Sequence, residues 1–343
     1  MQQMSSLVQP TFRNNAILST FRRTPLYAKR LLIYNQSMWY RIFKYLAILI
    51  FLINIGMYSY IFSVHNAELG QIKQKMFGND AEYAKLKEEY IQYKERTKNF
   101  RQIVIVANSA ESKNVKVGDI INTYAKNVNG DVSIFYKNLT TDESVIVAGD
   151  KTYYMASLYK VILTLYILDR VQKGEISLTD KTPGSSVTVE QALQKIITES
   201  NNEYAIALAE QYGWTNVEAY MRPLLGIDFH FDKNLDTDVK NMGSLFEEIS
   251  LSLKISRSET TYLLNLLGDQ KRISKLPKYL PTGIYSHNKT GEYEQYSHDA
   301  GIFYTAKANY ILIFMSKTPS PGTTNEQMAK MSLDIYNTLN EVK

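Results

Sequence analysis

The 343-residue chain contains no cysteine, which excludes disulfides, thiolate metal ligands and thiol redox chemistry. Histidine is nearly as scarce. Only His65, His230, His287 and His298 occur, and no two stand at the spacing with which a helix presents paired metal ligands. No metal site is expected, and a zinc hydrolase is disfavoured. A Gly-x-Ser-x-Gly elbow is also missing. His298 and Asp299 are adjacent in the chain and so are poorly placed to act as the oriented relay of a Ser-His-Asp triad. His287 and His298 read instead as strand residues with structural hydrogen bonds. Internal repeats and long low-complexity tracts are absent, and 26 tyrosines argue against wholesale disorder.

Acidic residues are missing from the first 44 positions, which carry Arg13, Arg22, Arg23, Lys29, Arg30, Arg41 and Lys44. The run from Tyr45 to Val64 then has no charge and reaches the ~20 residues that span a bilayer as one helix. The long basic lead and the bulky residues ending the run favour an uncleaved signal anchor over a cleaved signal peptide. The cations place the N-terminus in the cytoplasm and everything after Val64 outside. Setting those seven cations apart from the chain's 39 leaves 32 against 34 acids, so the net charge of +5 belongs to the anchor and its membrane lipid. No nucleic-acid partner is implied. Residues 65–114 are expected to form a polar helical stalk, with Tyr83, Leu86, Tyr90 and Tyr93 along one face, ending in a linker over 108–114. Residues 115–343 remain for one globular domain with a full core.

Three short patterns follow in order: Ser157-Leu158-Tyr159-Lys160, Ser200-Asn201-Asn202 and Lys289-Thr290-Gly291. Ser-x-x-Lys alone arises by chance about once or twice in such a chain, and Ser286 to Lys289 is a second instance, so order and context carry the argument. Ser157 opens an apolar run from Leu158 to Asp169 that predicts a buried helix. Spacing i, i+3 places Lys160 beside Ser157 with its ammonium within reach of the hydroxyl. A lysine desolvated there, or faced by another cation, loses its proton more readily and can act as a base. Ser200 to Asn202 lies in a turn between helical segments 187–198 and 203–212. A hydroxyl and an amide there can pass a proton and hold a substrate amide, although both residue types are also ordinary helix caps. Lys289 follows 283–288 and precedes strand-like runs at 299–304 and 309–315. An edge-strand lysine and threonine would face a carboxylate, and Gly291 would let a substrate backbone approach closely.

This ordered set, with the hairpin-like run Asp131 to Ala148 ahead of it, resembles the penicillin-recognising serine enzymes: class A β-lactamases and penicillin-binding D-alanyl-D-alanine peptidases. The resemblance implies Ser157 as the acylated nucleophile and Lys160 as the base for acylation. It makes Ser200 the proton relay toward the leaving nitrogen and Asn202 the ligand of the substrate's amide side chain. Lys289 and Thr290, beside Gly291, become the carboxylate anchor, and the backbone N–H groups of Ser157 and Glu292 the oxyanion hole. No cofactor is implied. Two departures stand out. Asn201 occupies a position where class A enzymes usually carry aspartate. The stretch from Leu224 to Asp238 is short and holds no glutamate for activating a deacylating water, its carboxylates before Asp238 being Asp228, Asp232 and Asp236.

The expected fold is therefore α/β (α+β) of the β-lactamase/transpeptidase-like kind. About five antiparallel strands from the 131–150 hairpin and 283–317 would pack against helices. A helical lobe would carry Ser200, and a last helix over 325–339 would close on the sheet. The expected function is a membrane-anchored extracytoplasmic serine hydrolase of class A β-lactamase type, taking a β-lactam or a D-Ala-D-Ala-type peptide at Ser157. A D-alanyl-D-alanine carboxypeptidase/transpeptidase and a non-turnover sensor are the alternatives.

Overall fold

The computed structural model describes Glu88 and residues 113–227, 229, 231 and 235–341. The basic segment 1–44, the span 45–64 and nearly all of the 65–114 stalk lie outside the described residues. Among the described residues, no helix is long and apolar enough to cross a membrane. In chain order the elements are α1 (Lys113–Asn127), β1 (Asp131–Asn138), β2 (Ser144–Val147), β3 (Tyr153–Tyr154), a 3-10 turn (Ala156–Leu158), α2 (Tyr159–Gln172), α3 (Val189–Thr198), α4 (Asn202–Tyr212), α5 (Trp214–Leu225), β4 (Asp236–Thr237), α6 (Val239–Leu251), α7 (Arg257–Gly268), β5 (Tyr285–Tyr293), β6 (Tyr296–Tyr304), β7 (Asn309–Lys317) and α8 (Pro321–Asn340). Five strands form the expected antiparallel sheet in the order β2-β1-β7-β6-β5, and β3 pairs separately with β4.

Residue parity decides which core each strand feeds. Ile134 and Tyr136 of β1, with Tyr310, Leu312 and Phe314 of β7, face a core closed by Val117 and Ile121 of α1 and Met328, Met331 and Ile335 of α8. Phe135 and the alternate β7 residues Ile311, Ile313 and Met315 face the larger core, shared with α2, α6 and α7. Burial on both faces is why these strands read as nearly continuous apolar runs. In α2 every residue from Tyr159 to Leu168 is buried. A Cβ on Gly243 would fall 2.7 Å from the Phe135 ring. The glycine lets α6 lie directly on β1, and that contact offsets the ~1 kcal/mol that glycine costs inside a helix.

Local signals fix several helix starts. Thr188 and Gln191 form a reciprocal capping box on α3, as do Ser256 and Glu259 on α7, while Asp238 caps α6. The α1, α5 and α7 helices were not anticipated, and α1 begins at Lys113, within the stretch read as linker. Its apolar residues are few, so packing against α8 holds it rather than intrinsic propensity. Tyr124 adds a 2.7 Å hydrogen bond to Asp334 across that pair.

Candidate active site

Both residues that turn the chain into the site adopt left-handed backbone: Ala156 at φ 48°, just before Ser157, and Ser200 at φ 61°. Each costs about 1 kcal/mol for a non-glycine residue and persists because its surroundings hold it. The turn that carries Ser157 is held at several points. Met155 N–H donates to Leu235 O at 2.7 Å, and Tyr153 and Tyr154 pair with Thr237 and Asp236. His298 Nε2 donates to Tyr154 O at 2.8 Å while its Nδ1 accepts from Ser316 N–H at 3.1 Å. Both ring nitrogens are thereby committed to backbone, and burial pulls the imidazole pKa down to about 4. Asp299 accepts from Asn288 Nδ2 at 2.9 Å and from Leu276 N–H at 3.1 Å. These two residues tie strands together, and the structural role expected for His298 holds.

The first two motifs meet at one cleft of about 670 Å³, and Lys289 of the third is joined to them through Ser200 Oγ. Ser157, Asn202 and Glu292 line it beside Tyr159, Trp214 and Phe231. The Tyr159 and Trp214 ring centroids are 5.3 Å apart, and Phe231 meets both rings edge-on or nearly so. Beneath the cleft Lys160 and Lys289 are completely buried. The spacing argument put the Lys160 ammonium at the Ser157 hydroxyl, but among the described residues no hydrogen bond joins them. Its three donors go to Ser200 O at 2.7 Å, Ser200 Oγ at 3.2 Å and Asn202 Oδ1 at 2.6 Å. Lys289 Nζ donates to the same Ser200 Oγ at 2.9 Å and to Thr290 O at 2.9 Å. Asn201 caps α4 by accepting from Tyr204 N–H, a task asparagine and aspartate perform alike, so its departure from the family pattern is structurally neutral.

Electrostatics follow from crowding cations in a dry place. Burial first, and the nearby Arg272 guanidinium second, bring the Lys160 pKa down from 10.5 to about 7. Lys289 is pushed well below its ordinary value by burial and then by Lys160 and Arg272. Burial would raise the Glu292 carboxyl, but Lys275, Arg272 and Lys289 outweigh it and keep it below its usual range. Sequence reasoning missed Arg272 and Lys275. Arg272 donates to Glu199 O at 3.2 Å and stands 3.7 Å from Glu292 Oε2. Both residues come from the irregular stretch between α7 and β5, where no periodicity marks a side chain as facing a site.

Gly291 is also needed for packing within the domain. A Cβ there would meet Met155 O at 2.9 Å and Leu158 Cγ at 3.3 Å, so the glycine lets β5 press against the Ser157 turn. Gly291→Ala should therefore lower stability by about 1–3 kcal/mol. Urea unfolding checks this, and a variant indistinguishable from the parent would refute it.

A family model described as the beta-lactamase enzyme family matches residues 116–339, so the chain belongs to that family. No curated protein matches the chain. Among solved structures, PBP-A is similar at 18% identity, covering 66% of this chain and 97% of its own, with a TM-score of 0.61. A mutant of PBP-A in an acyl-enzyme complex with penicillin G superposes with a TM-score of 0.60, at 18% identity over 66% of this chain and 97% of its own. A class A beta-lactamase from Bacteroides cellulosilyticus DSM 14838 is also similar at 18% identity, over 67% of this chain and 99% of its own, with a TM-score of 0.59. At such identities the likeness is one of fold.

Proposed function

We propose that the domain is a serine acyl-transfer enzyme: Ser157 is acylated by β-lactams and by D-alanyl-D-alanine-type peptides, and the acyl-enzyme is long-lived. The observation that carries this reading is Ser200 Oγ, shared between Lys160 Nζ and Lys289 Nζ at the edge of the Ser157 cleft. With a pKa of about 7, a sizeable fraction of Lys160 is neutral at physiological pH and can take the Ser157 proton as Oγ attacks the carbonyl. The backbone N–H groups of Ser157 and Glu292 hold the oxyanion. The proton then passes from Lys160 through Ser200 to the leaving nitrogen as the C–N bond breaks. Lys289 and Thr290 bind the substrate carboxylate, whose charge favours the ammonium form of Lys289. Because Asn202 Oδ1 is occupied by Lys160, its NH2 is left to donate to a carbonyl on the acyl side chain.

Slow deacylation is supported by what faces the acyl group. Among the described residues lining the cleft, Glu292 is the one carboxylate, and it is paired with Lys275 at 3.1 Å. The loop before β4 contributes Phe231 and Leu235 to the wall. Asp236 sits in β4 opposite Tyr154, and Asp228 and Asp232 lie outside the described residues. The charge pattern of residues 1–64 supports an anchor that holds this domain outside the cytoplasm.

Intact mass spectrometry of the full-length protein mixed with a penicillin tests the proposal. A Ser157-dependent adduct that persists for minutes is expected, with none on Ser157→Ala. An adduct decaying within seconds would make the protein a hydrolysing β-lactamase, and no adduct would overturn the acyl-enzyme reading.

A further inference from the structure

Lys275 is completely buried, and none of the steps above uses it. Its ammonium donates to Gly291 O at 3.2 Å and His298 O at 3.0 Å and pairs with Glu292 Oε1 at 3.1 Å. Gly291 and His298 are directly opposite partners on β5 and β6, so the ammonium spans that pair. The next residue, Leu276, is fastened to β6 through its N–H and Asp299. Glu292 is the third partner and stands near Arg272. A buried cation is costly unless its surroundings compensate it, and here two carbonyls and a carboxylate do so.

The Gly291 carbonyl and the Glu292 N–H belong to one planar peptide unit. A cation on the oxygen draws electron density from the nitrogen, which makes the N–H a stronger donor, and it also fixes the plane in which that N–H points. We propose that Lys275 is a positioning residue for acyl transfer, polarising and orienting the Gly291–Glu292 peptide so that its N–H stabilises the oxyanion formed at Ser157. This rests on the acyl-enzyme reading above. Lys275 touches no substrate; it acts only through that peptide.

The test compares the full-length parent with Lys275→Met and Glu292→Gln. The maximal acylation rate, the half-saturating penicillin concentration and the infrared stretch of the acyl-ester carbonyl are measured for each. Removing an oxyanion donor outright costs about 100- to 1,000-fold, so weakening one in Lys275→Met should cost on the order of 10- to 100-fold in the maximal rate. Half-saturation should change little, because the N–H matters most once charge has developed on the oxygen. The carbonyl stretch should move to higher wavenumber, reporting a weaker hydrogen bond. Glu292→Gln, at a half-exposed position, should move rate and stretch the same way by less. A folded Lys275→Met whose rate and stretch match the parent overturns the inference, even if its melting temperature falls, since that pattern means a purely structural role. If Lys275→Met does not fold, an unchanged stretch in Glu292→Gln overturns it instead. A parent that forms no adduct removes the acyl-enzyme reading and this inference together.

Discussion

Replacing Lys160 with methionine should slow acylation of Ser157 by on the order of 1,000-fold while making the folded domain more stable. The two effects share one cause. Lys160 is held on a helix whose first ten residues are all buried, and its ammonium makes three hydrogen bonds there. Burial brings its pKa from 10.5 to about 7. In the unfolded chain the same lysine keeps its ordinary pKa, so between about pH 7 and 10.5 the unfolded state binds the proton that the folded state releases, and stability rises with pH across that window. Below about pH 7 the folded state carries the full cost of the buried charge. Lys160→Met removes that cost, so its advantage in urea midpoint should be largest near pH 6 and fade toward pH 10. Acylation of the parent should climb about tenfold per pH unit below the Lys160 pKa and level off above it, because only the neutral amine accepts a proton. A Lys160→Met protein acylated within about tenfold of the parent rate would exclude lysine as the base.

The residues that made the site legible in sequence are those whose roles are local. Ser157 and Lys160 announced themselves because a lysine stands at the start of a helix apolar all round, and the structure buries it as that pattern requires. The β1–β2 hairpin and the β6–β7 pair were legible from their turns and apolar runs. Contacts between distant segments were not. Lys160 bonds to Ser200 and Asn202, some forty residues away, rather than to the hydroxyl three residues before it, because the left-handed Ser200 turns both its oxygens toward the amine. Lys275 lies in a stretch without period, where a lysine reads as solvated until β5 and β6 close over it. Gly291 was legible as a position needing a small residue, but its neighbour is Met155 O, which no local pattern discloses.

Acidification should unfasten the nucleophile turn through His298, and the His298→Gln variant should be largely immune. The imidazole accepts from Ser316 N–H on β7 and donates to Tyr154 O on β3, which fixes it as the neutral tautomer with its proton on Nε2. A second proton on Nδ1 would face the Ser316 N–H, donor against donor, in a site from which water is excluded. Lys275 is the charged neighbour and opposes protonation further, and the Tyr153 and Tyr296 rings pack around the imidazole. The folded-state pKa is about 4 against 6.5 for an ordinary histidine. Between those values the unfolded chain takes up a proton that the folded domain refuses. The stabilisation is thus complete above pH 6.5 and is lost as the pH falls to about 4, and it amounts to about 3 kcal/mol for this fully buried ring. His287, whose pKa burial also lowers, contributes below pH 6.5 as well, and so do the carboxylates held low by lysine partners at lower pH, so the comparison must be differential. Urea unfolding at pH 7 and pH 4 should show the parent losing about 3 kcal/mol more than His298→Gln. Because the ring displaced by the Ser316 N–H also holds Tyr154 O, the parent's acylation rate should also collapse on the acid side more steeply than protonation of Lys160 alone predicts. Parallel stability curves for the two proteins would mean that the acid lability resides elsewhere and that the tether from His298 to the nucleophile turn carries none of it.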